Sequence, residues 1–306
     1  MRLFQLIFFL LVTCHSFAQS SAGPAYFFAI GDMPYYPGDF ERLDNLIEQL
    51  NDQSPLFTIH VGDIKKGASP CTEEYFEEVY SYFQKFNHPL AFTPGDNEWT
   101  DCQDFDPIDR LTLLRKIFYA NKLTADRGEL PVHSQNKYTG YEKYIENQTW
   151  NLDSITFGTL HVIGSNNNQK NDDPYRMSEF NERNQANLFW LDKIFEQASQ
   201  SSSQGVVLMM HGAMIYSKVL KTGFDDIIEK LNENVTKFGK PVLLIYGDAH
   251  KFMIDKPLKS ADGKVLDNFT ALQVFGDRDM HAVKISIDHS KPQLFVIEQE
   301  IIEKNK

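Results

Sequence analysis

The chain has 306 residues, with 42 Asp and Glu against 30 Lys and Arg, a formal charge of −12. That balance argues against tight binding to a polyanion such as duplex nucleic acid. A hydrophobic content of 42 % without internal repeat or low-complexity linker suits one packed domain, placed here at residues 24–303.

Residues 1–18 read as a secretory signal peptide. Arg2 supplies the charge, Leu3 to Val12 the apolar core, and Ser16-Phe17-Ala18 a cleavage site. The apolar run is too short to span a membrane. The reading implies a secreted or periplasmic protein. Its removal leaves two cysteines, Cys71 and Cys102, on loops that follow neighbouring Gly-Asp turns. In an oxidising compartment they are expected to form a disulfide. The alternatives are two free thiols, or a zinc site for which no CxxC pairing is present.

In chain order, Tyr26 to Ile30 is a short apolar run, predicted as a strand that ends at Gly31-Asp32. Asp39 to Asn51 is predicted helical, since Leu43, Leu46, Ile47 and Leu50 share one face. Phe57 to Val61 is the next strand and leads into Gly62-Asp63. Lys65, just beyond, is a candidate phosphate contact. Glu73 to Phe86 is a helix that turns Phe76, Val79, Tyr80 and Phe83 inward. Leu90 to Pro94 is a strand that ends at Gly95-Asp96-Asn97-Glu98. Pro107 to Leu123 is predicted helical, and residues 124–152 are predicted irregular.

Ile155 to Gly164 is a strand, followed by a polar loop to about Phe180 in which Arg176 is a candidate anion contact. Glu182 to Ser199 is a helix. Val206 to Met210 is a strand that ends at His211-Gly212. Asp225 to Phe238 is a helix, and Pro241 to Tyr246 a strand that ends at Gly247-Asp248-Ala249-His250. Lys251 adjoins it as a third candidate substrate contact. Phe269 to Phe275, Ala282 to Ile287 and Gln293 to Ile297 are closing strands, with His281 between the first two.

Five strand ends therefore carry four Asp and two His: Asp32, Asp63, Asp96, His211, Asp248 and His250. In open α/β sheets ligands bind at such edges. Converging carboxylates repel by about 4 kcal/mol per pair at ~4 Å and an effective dielectric of ~20. Several such pairs rival a domain's whole stability of roughly 5–15 kcal/mol. Convergence thus requires cations.

The order and spacing of these motifs resemble the calcineurin-like metallophosphoesterases, which include the purple acid phosphatases. The run Gly95-Asp-Asn-Glu-Trp99 looks like a divergent bacterial branch. The resemblance runs from about Tyr26 to Asp288. It implies a four-layer α/β/β/α sandwich of two mixed sheets flanked by helices. It also implies two divalent ions (Mn, Fe, Zn or Mg) acting on a small phosphate mono- or diester. By position, Asp32 and His250 would hold one ion, and Asp96, His211 and Asp248 the other, with Asp63 bridging.

Four positions depart from the family pattern, one of them Asp96, which stands where the family has an Asn ligand. Pro34 stands where the first motif has a His ligand, a gap that Tyr35 or Tyr36 can fill. Asn97 replaces the His that contacts phosphate, and Asp248 replaces a His ligand. Asn97 cannot donate a proton, so His281 is the candidate acid. The losses at Pro34 and Asn97 also admit a rival reading, a degenerate, non-catalytic binding domain.

Overall fold

The computed structural model describes residues 23–119, 130–214, 222–260 and 262–306. The expected signal peptide and the last residues of the helix predicted to Leu123 lie outside them.

Twelve strands among these residues form two sheets, placed back to back. The first holds β1 (Tyr26–Ile30), β2 (Thr58–His60), β3 (Leu90–Phe92), β11 (Ala282–Ile287) and β12 (Phe295–Glu300) in the order β12-β11-β1-β2-β3. β1, β2 and β3 are parallel, and β11 runs antiparallel to β1. The second holds β4 (His133–Ser134), β5 (Gln148–Leu152), β6 (Ile155–Thr159), β7 (Gly205–Met209), β8 (Val242–Tyr246), β9 (Met253–Asp255) and β10 (Phe269–Gln273). Their order is β4-β5-β6-β7-β8-β10-β9, with β6, β7, β8 and β10 parallel.

Because successive strand side chains point to opposite faces, each sheet feeds two cores. Phe27 and Ala29 join Phe157, Val207, Met209, Leu243 and Ile245 between the sheets. Phe28 and Ile30 face outward onto α1 (Asp39–Asn51), α2 (Glu73–Phe83) and α3 (Pro107–Phe118). Val206, Leu208, Val242 and Leu244 face the opposite way onto α4 (Pro174–Gln200) and α5 (Asp225–Phe238). This is the four-layer α/β/β/α sandwich expected from the sequence, with mixed sheets fully covered by helices.

Several boundaries differ from expectation. Residues 124–152 are not irregular throughout, since β4 and β5 lie within them. Their polar side chains masked the pattern: Gln148 and Thr149 are buried but hydrogen-bonded. The helix expected from Glu182 begins two turns earlier, at Pro174. Asp173 caps it by accepting from the backbone N–H of Tyr175 and Arg176, and Pro174 opens its first turn. β9 is a short edge strand with little apolar signal.

Candidate metal centre

The C-terminal ends of β1, β2, β3, β7 and β8 meet at one rim. Gly62 makes the approach possible, because it holds φ +92 and a Cβ there would lie 2.4 Å from the backbone N of Gly95. The Gly62-Asp63 and Gly95-Asp96 turns are thereby in contact. Four of the six expected ligands, Asp32, Asp63, Asp248 and His250, have positive φ of 54, 58, 73 and 56°. Such backbone is uncommon outside glycine, and it concentrates where surrounding structure holds functional groups in place.

The structure brings the six residues together. Asp32, Asp63 and His211 each offer one donor atom within 4.8 Å of the others, and Asp96, His211 and Asp248 do the same. His250 joins at the edge, with Nε2 3.5 Å from Asp32 Oδ1. The backbone N–H of Asp248 donates to Asp32 Oδ1 at 3.0 Å, locking the first and last motifs. Ser165 Oγ donates to Asp96 Oδ2 at 2.6 Å.

His211 tests whether a cation fits. Its Nδ1 lies 2.9 Å from the Val61 carbonyl, which can only accept, so Nδ1 carries the proton. Nε2 then presents a lone pair. It is fully buried without a hydrogen-bond partner, 3.3 Å from Asp63 Oδ1 and 3.2 Å from Asp96 Oδ1. A lone pair facing two carboxylates is stable only with positive charge between them. A proton is one answer: burial opposes charging His211, but Asp63, Asp96 and Asp32 outweigh burial and raise its pKa well above the usual value. A metal ion is the other, and oxygen and imidazole donors suit it.

The carboxylates respond to the same crowding. Burial raises the Asp32 pKa well above its ordinary value, with Asp63 and Asp248 adding to it and His211 opposing. Burial likewise raises Asp248. At Asp96 burial is outweighed by His211 and Ser165, so its pKa falls. Glu98 is pushed up to about 8, first by burial and then by the Asp63 charge. Its Oε1 accepts from the backbone N–H of both Gly95 (2.6 Å) and Asp63 (3.2 Å), so it joins the two turns from behind.

Of the two tyrosines after Pro34, Tyr35 turns into the cluster and Tyr36 does not. Tyr35 Oη lies 2.9 Å from Asp63 Oδ2 and 3.0 Å from His250 Nε2. Burial, then the charges of Asp63 and Asp32, raise its phenol pKa. Asp39 accepts from the backbone N–H of Tyr35 and Tyr36 and holds the loop. Tyr36 itself is exposed beneath Lys66.

Four other expected roles require correction, those of Lys65, Asn97, His281 and Arg176. Lys65 is fully buried, and its ammonium donates to the carbonyls of Asn97 (2.6 Å) and Gly67 (3.2 Å); it braces a loop and faces no substrate. Asn97 turns its amide inward, to Asp63 Oδ2 at 2.6 Å, the Lys65 carbonyl at 3.0 Å and Tyr35 Oη at 3.1 Å. It positions Asp63, and its donors are not offered to a substrate. His281 Nδ1 accepts from the backbone N–H of Ile302 at 3.2 Å and its ring packs on Phe275, so its hydrogen bond leads to the C-terminal segment and not to the cluster. Arg176 sits on the first turn of α4 and donates to Asn168 Oδ1 at 2.6 Å, bracing the turn that carries Ser165. Lys251 is exposed, and its carbonyl accepts from Gln273. The expected disulfide joins Cys71 to Cys102.

Sequence reasoning overlooked Asp277 and Ser165. Asp277 Oδ1 lies 2.8 Å from His250 Nδ1 and fixes which ring nitrogen faces the cluster. Its signal was present, because Gly276-Asp277 repeats the Gly-Asp pattern after β10. Two clefts of about 910 and 800 Å³ open elsewhere, at the β8–β10 edge and between α4 and α5. Neither is lined by the cluster, and neither has its convergent chemistry.

The family model of calcineurin-like phosphoesterases matches residues 25–252. The chain belongs to that family. It is accordingly a metal-dependent phosphoric ester hydrolase by family. Among solved structures the fold resembles a dimetal phosphatase from Danio rerio, at TM-score 0.58 and 11 % identity, covering 92 % of this chain and 97 % of that one. It also resembles GAP50, described as the anchor in the inner membrane complex of Plasmodium, at TM-score 0.51 and 11 % identity, covering 92 % and 90 %. A purple acid phosphatase from yellow lupin matches at TM-score 0.51 and 12 % identity over 93 % of this chain and 52 % of that one. No curated protein sequence matches the chain. Among the described residues no helix is long and apolar enough to cross a membrane.

Proposed function

We propose that this phosphoesterase is exported and hydrolyses a small phosphate mono- or diester with two divalent ions. Asp32, Asp63, Asp96, His211, Asp248 and His250 would hold them. Two ions in such a site lower the pKa of water and neutralise the charge that builds on phosphorus. The residues of the chain do the rest. Asp63 offers Oδ1 toward His211 and Oδ2 toward Tyr35, the two-sided position a bridging carboxylate needs. Asp277 keeps the His250 proton on Nδ1, leaving Nε2 free as a donor of electrons. Asn97 holds the Asp63 carboxylate at a fixed angle.

The observation that carries this reading is the orphaned His211 Nε2, shared by two acidic triads. Asn97 and His281 are both turned away, so neither supplies a proton to a leaving group. Substrates with good leaving groups are therefore favoured, and nitrophenyl phosphate should be cleaved faster than an alkyl phosphate. The disulfide is compatible with export to an oxidising compartment.

The test is elemental analysis of the purified protein, then a panel of phosphomonoesters, diesters and nucleotides with added Mn. Two ions per chain and turnover of at least one ester class are expected. Absence of bound metal would overturn the proposal. Bound metal without turnover on any ester would favour the non-catalytic reading.

A further inference from the structure

The loop after β10 presses on His250 from one side, where a Cβ at Gly276 would lie 2.6 Å from His250 Cβ. Asp277 Oδ1 meets His250 Nδ1 at 2.8 Å, and Tyr35 Oη meets His250 Nε2 at 3.0 Å from the other side. Both neighbours lead back to one side chain on α1. Arg42 Nη1 donates to the Asp277 carbonyl at 2.6 Å, and Nη2 to the Arg278 carbonyl at 2.7 Å. Nη1 also lies 3.4 Å from Asp39 Oδ1, and Asp39 Oδ2 accepts from the backbone N–H of Tyr35 at 2.9 Å. These contacts close a ring: Arg42, Asp39, Tyr35, His250, Asp277 and back to Arg42. It joins α1 to the loops after β1, β8 and β10. Behind it, Asn305 Nδ2 donates to the carbonyls of Arg42 and Met280, each at 2.9 Å, and ties the same helix to the same loop. The hydrogen bonds of Arg42 end on these neighbours and not on the metal-seeking side chains, so any effect on the cluster passes through His250.

We propose that Arg42 is a positioning residue of the metal centre: its guanidinium sets the spacing between the Tyr35 and Asp277 loops and so fixes His250 between them. This rests on the two-ion reading above. A planar guanidinium can meet two consecutive carbonyls with two nitrogens while its charge faces a carboxylate. A lysine ammonium is a point donor on a flexible stem and cannot hold the same pair in one plane. Without the fork, the Asp277 and Arg278 carbonyls and Asp39 Oδ1 lose a shared donor, and the two loops move independently. The loss falls on the ion that Asp32 and His250 would hold, because Asp96, His211 and Asp248 lie outside the ring. A residue that only stabilised the fold would loosen both ions alike. That difference is measurable.

The experiment titrates the metal-free full chain with Mn in competition with a chelating dye, and counts bound ions by elemental analysis. Arg42→Met should weaken one of the two ions about tenfold or more and leave the other within about twofold of wild type. Arg42→Lys, which keeps the charge without the fork, should behave as Arg42→Met does. Gln49→Ala removes a different tie from the same helix, to Glu300 and the Ile301 carbonyl, and should leave both ions unchanged. Circular dichroism of the metal-free variants would show that they fold. Arg42→Met that binds both ions like wild type, equal weakening of both ions, Arg42→Lys that matches wild type, or Gln49→Ala that weakens the same ion as much would each overturn the assignment while leaving the two-ion reading intact. Wild type that binds no metal of any kind would overturn both.

Discussion

Asp63 is the residue on which most contacts converge: it meets His211, Tyr35 and Asn97 through its carboxylate and Glu98 through its backbone N–H. Asp63→Asn is expected to lose bound metal and to lower phosphoesterase activity by at least about a hundredfold, checked by elemental analysis and by kcat on a nitrophenyl ester. Asn97→Ala removes only the brace, a hydrogen bond to a charged group worth roughly 1.5–3 kcal/mol. Metal affinity should fall by about tenfold with the fold intact, read by competition with a chelating dye.

His60 belongs at the same scale but acts on stability. It is fully buried, bonded from Nε2 to the Met33 carbonyl at 2.7 Å and accepting at Nδ1 from the N–H of Gly62 at 3.2 Å. Burial lowers its pKa from 6.5 to about 4. The fold therefore favours the neutral ring. Its contribution is complete above the unfolded value of 6.5 and declines as pH falls from there toward 4, since the unfolded chain takes the proton first. The loss amounts to roughly 3 kcal/mol at about 1.4 kcal/mol per pH unit. Denaturant melts between pH 7 and pH 4 should show a steeper decline for wild type than for His60→Gln.

Among elements, two connections do the holding. The Cys71–Cys102 bridge closes a segment with a sequence separation of 31. It lies between the loop after Asp63 and the loop after Asp96. For a closure of that length the chain-entropy account gives about 3–4 kcal/mol, so Cys71→Ser with Cys102→Ser should lower the denaturant midpoint accordingly. The second is the turn after β6, where Ser165, Asn166, Asn167 and Asn168 all have φ between 50 and 61°. Four left-handed non-glycine residues in succession are costly and must be held from outside. Arg183, buried in α4, does this. Its guanidinium donates to Asn167 Oδ1 (2.6 Å), the Asn167 carbonyl (3.0 Å) and Glu179 Oε1 (2.6 Å). Arg183→Met would remove the shared donor from Asn167 and leave the Glu179 carboxylate without its cation, at a cost of about 3–5 kcal/mol. Release of the turn should also free Ser165 from Asp96, which a fall in metal affinity would reveal.

At the scale of the molecule, the clustered carboxylates oppose the fold unless positive charge joins them. Ligands that bind only the native state stabilise it, by about 2.7 kcal/mol at 100 times Kd. Chelator-treated protein should therefore melt below Mn-loaded protein, and the midpoint should rise with Mn concentration in scanning calorimetry. Equal midpoints would speak against a cation in the cluster.

The legibility of the sequence follows from the range of the interactions involved. Strand β1 and helices α1 and α5 have the bounds predicted from the sequence, because their patterns are local and their inward faces apolar. The six metal-seeking side chains were legible because a Gly-Asp or His-Gly turn after an apolar strand is itself a local pattern. The roles of Lys65, Asn97, Asp277 and Tyr35 were not, because each depends on a partner far along the chain. Lys65 meets the carbonyl of Asn97, Asp277 meets His250, and Tyr35 meets both Asp63 and His250. The sequence alone determined the alternating strands and helices, the rim and the residues able to hold cations, since burial and turn chemistry act within a few residues; the four layers followed from the family resemblance. Only the tertiary structure decided which side chains enter the cluster and which hold others in place, since a hydrogen bond forms only where folding brings donor and acceptor within about 3 Å.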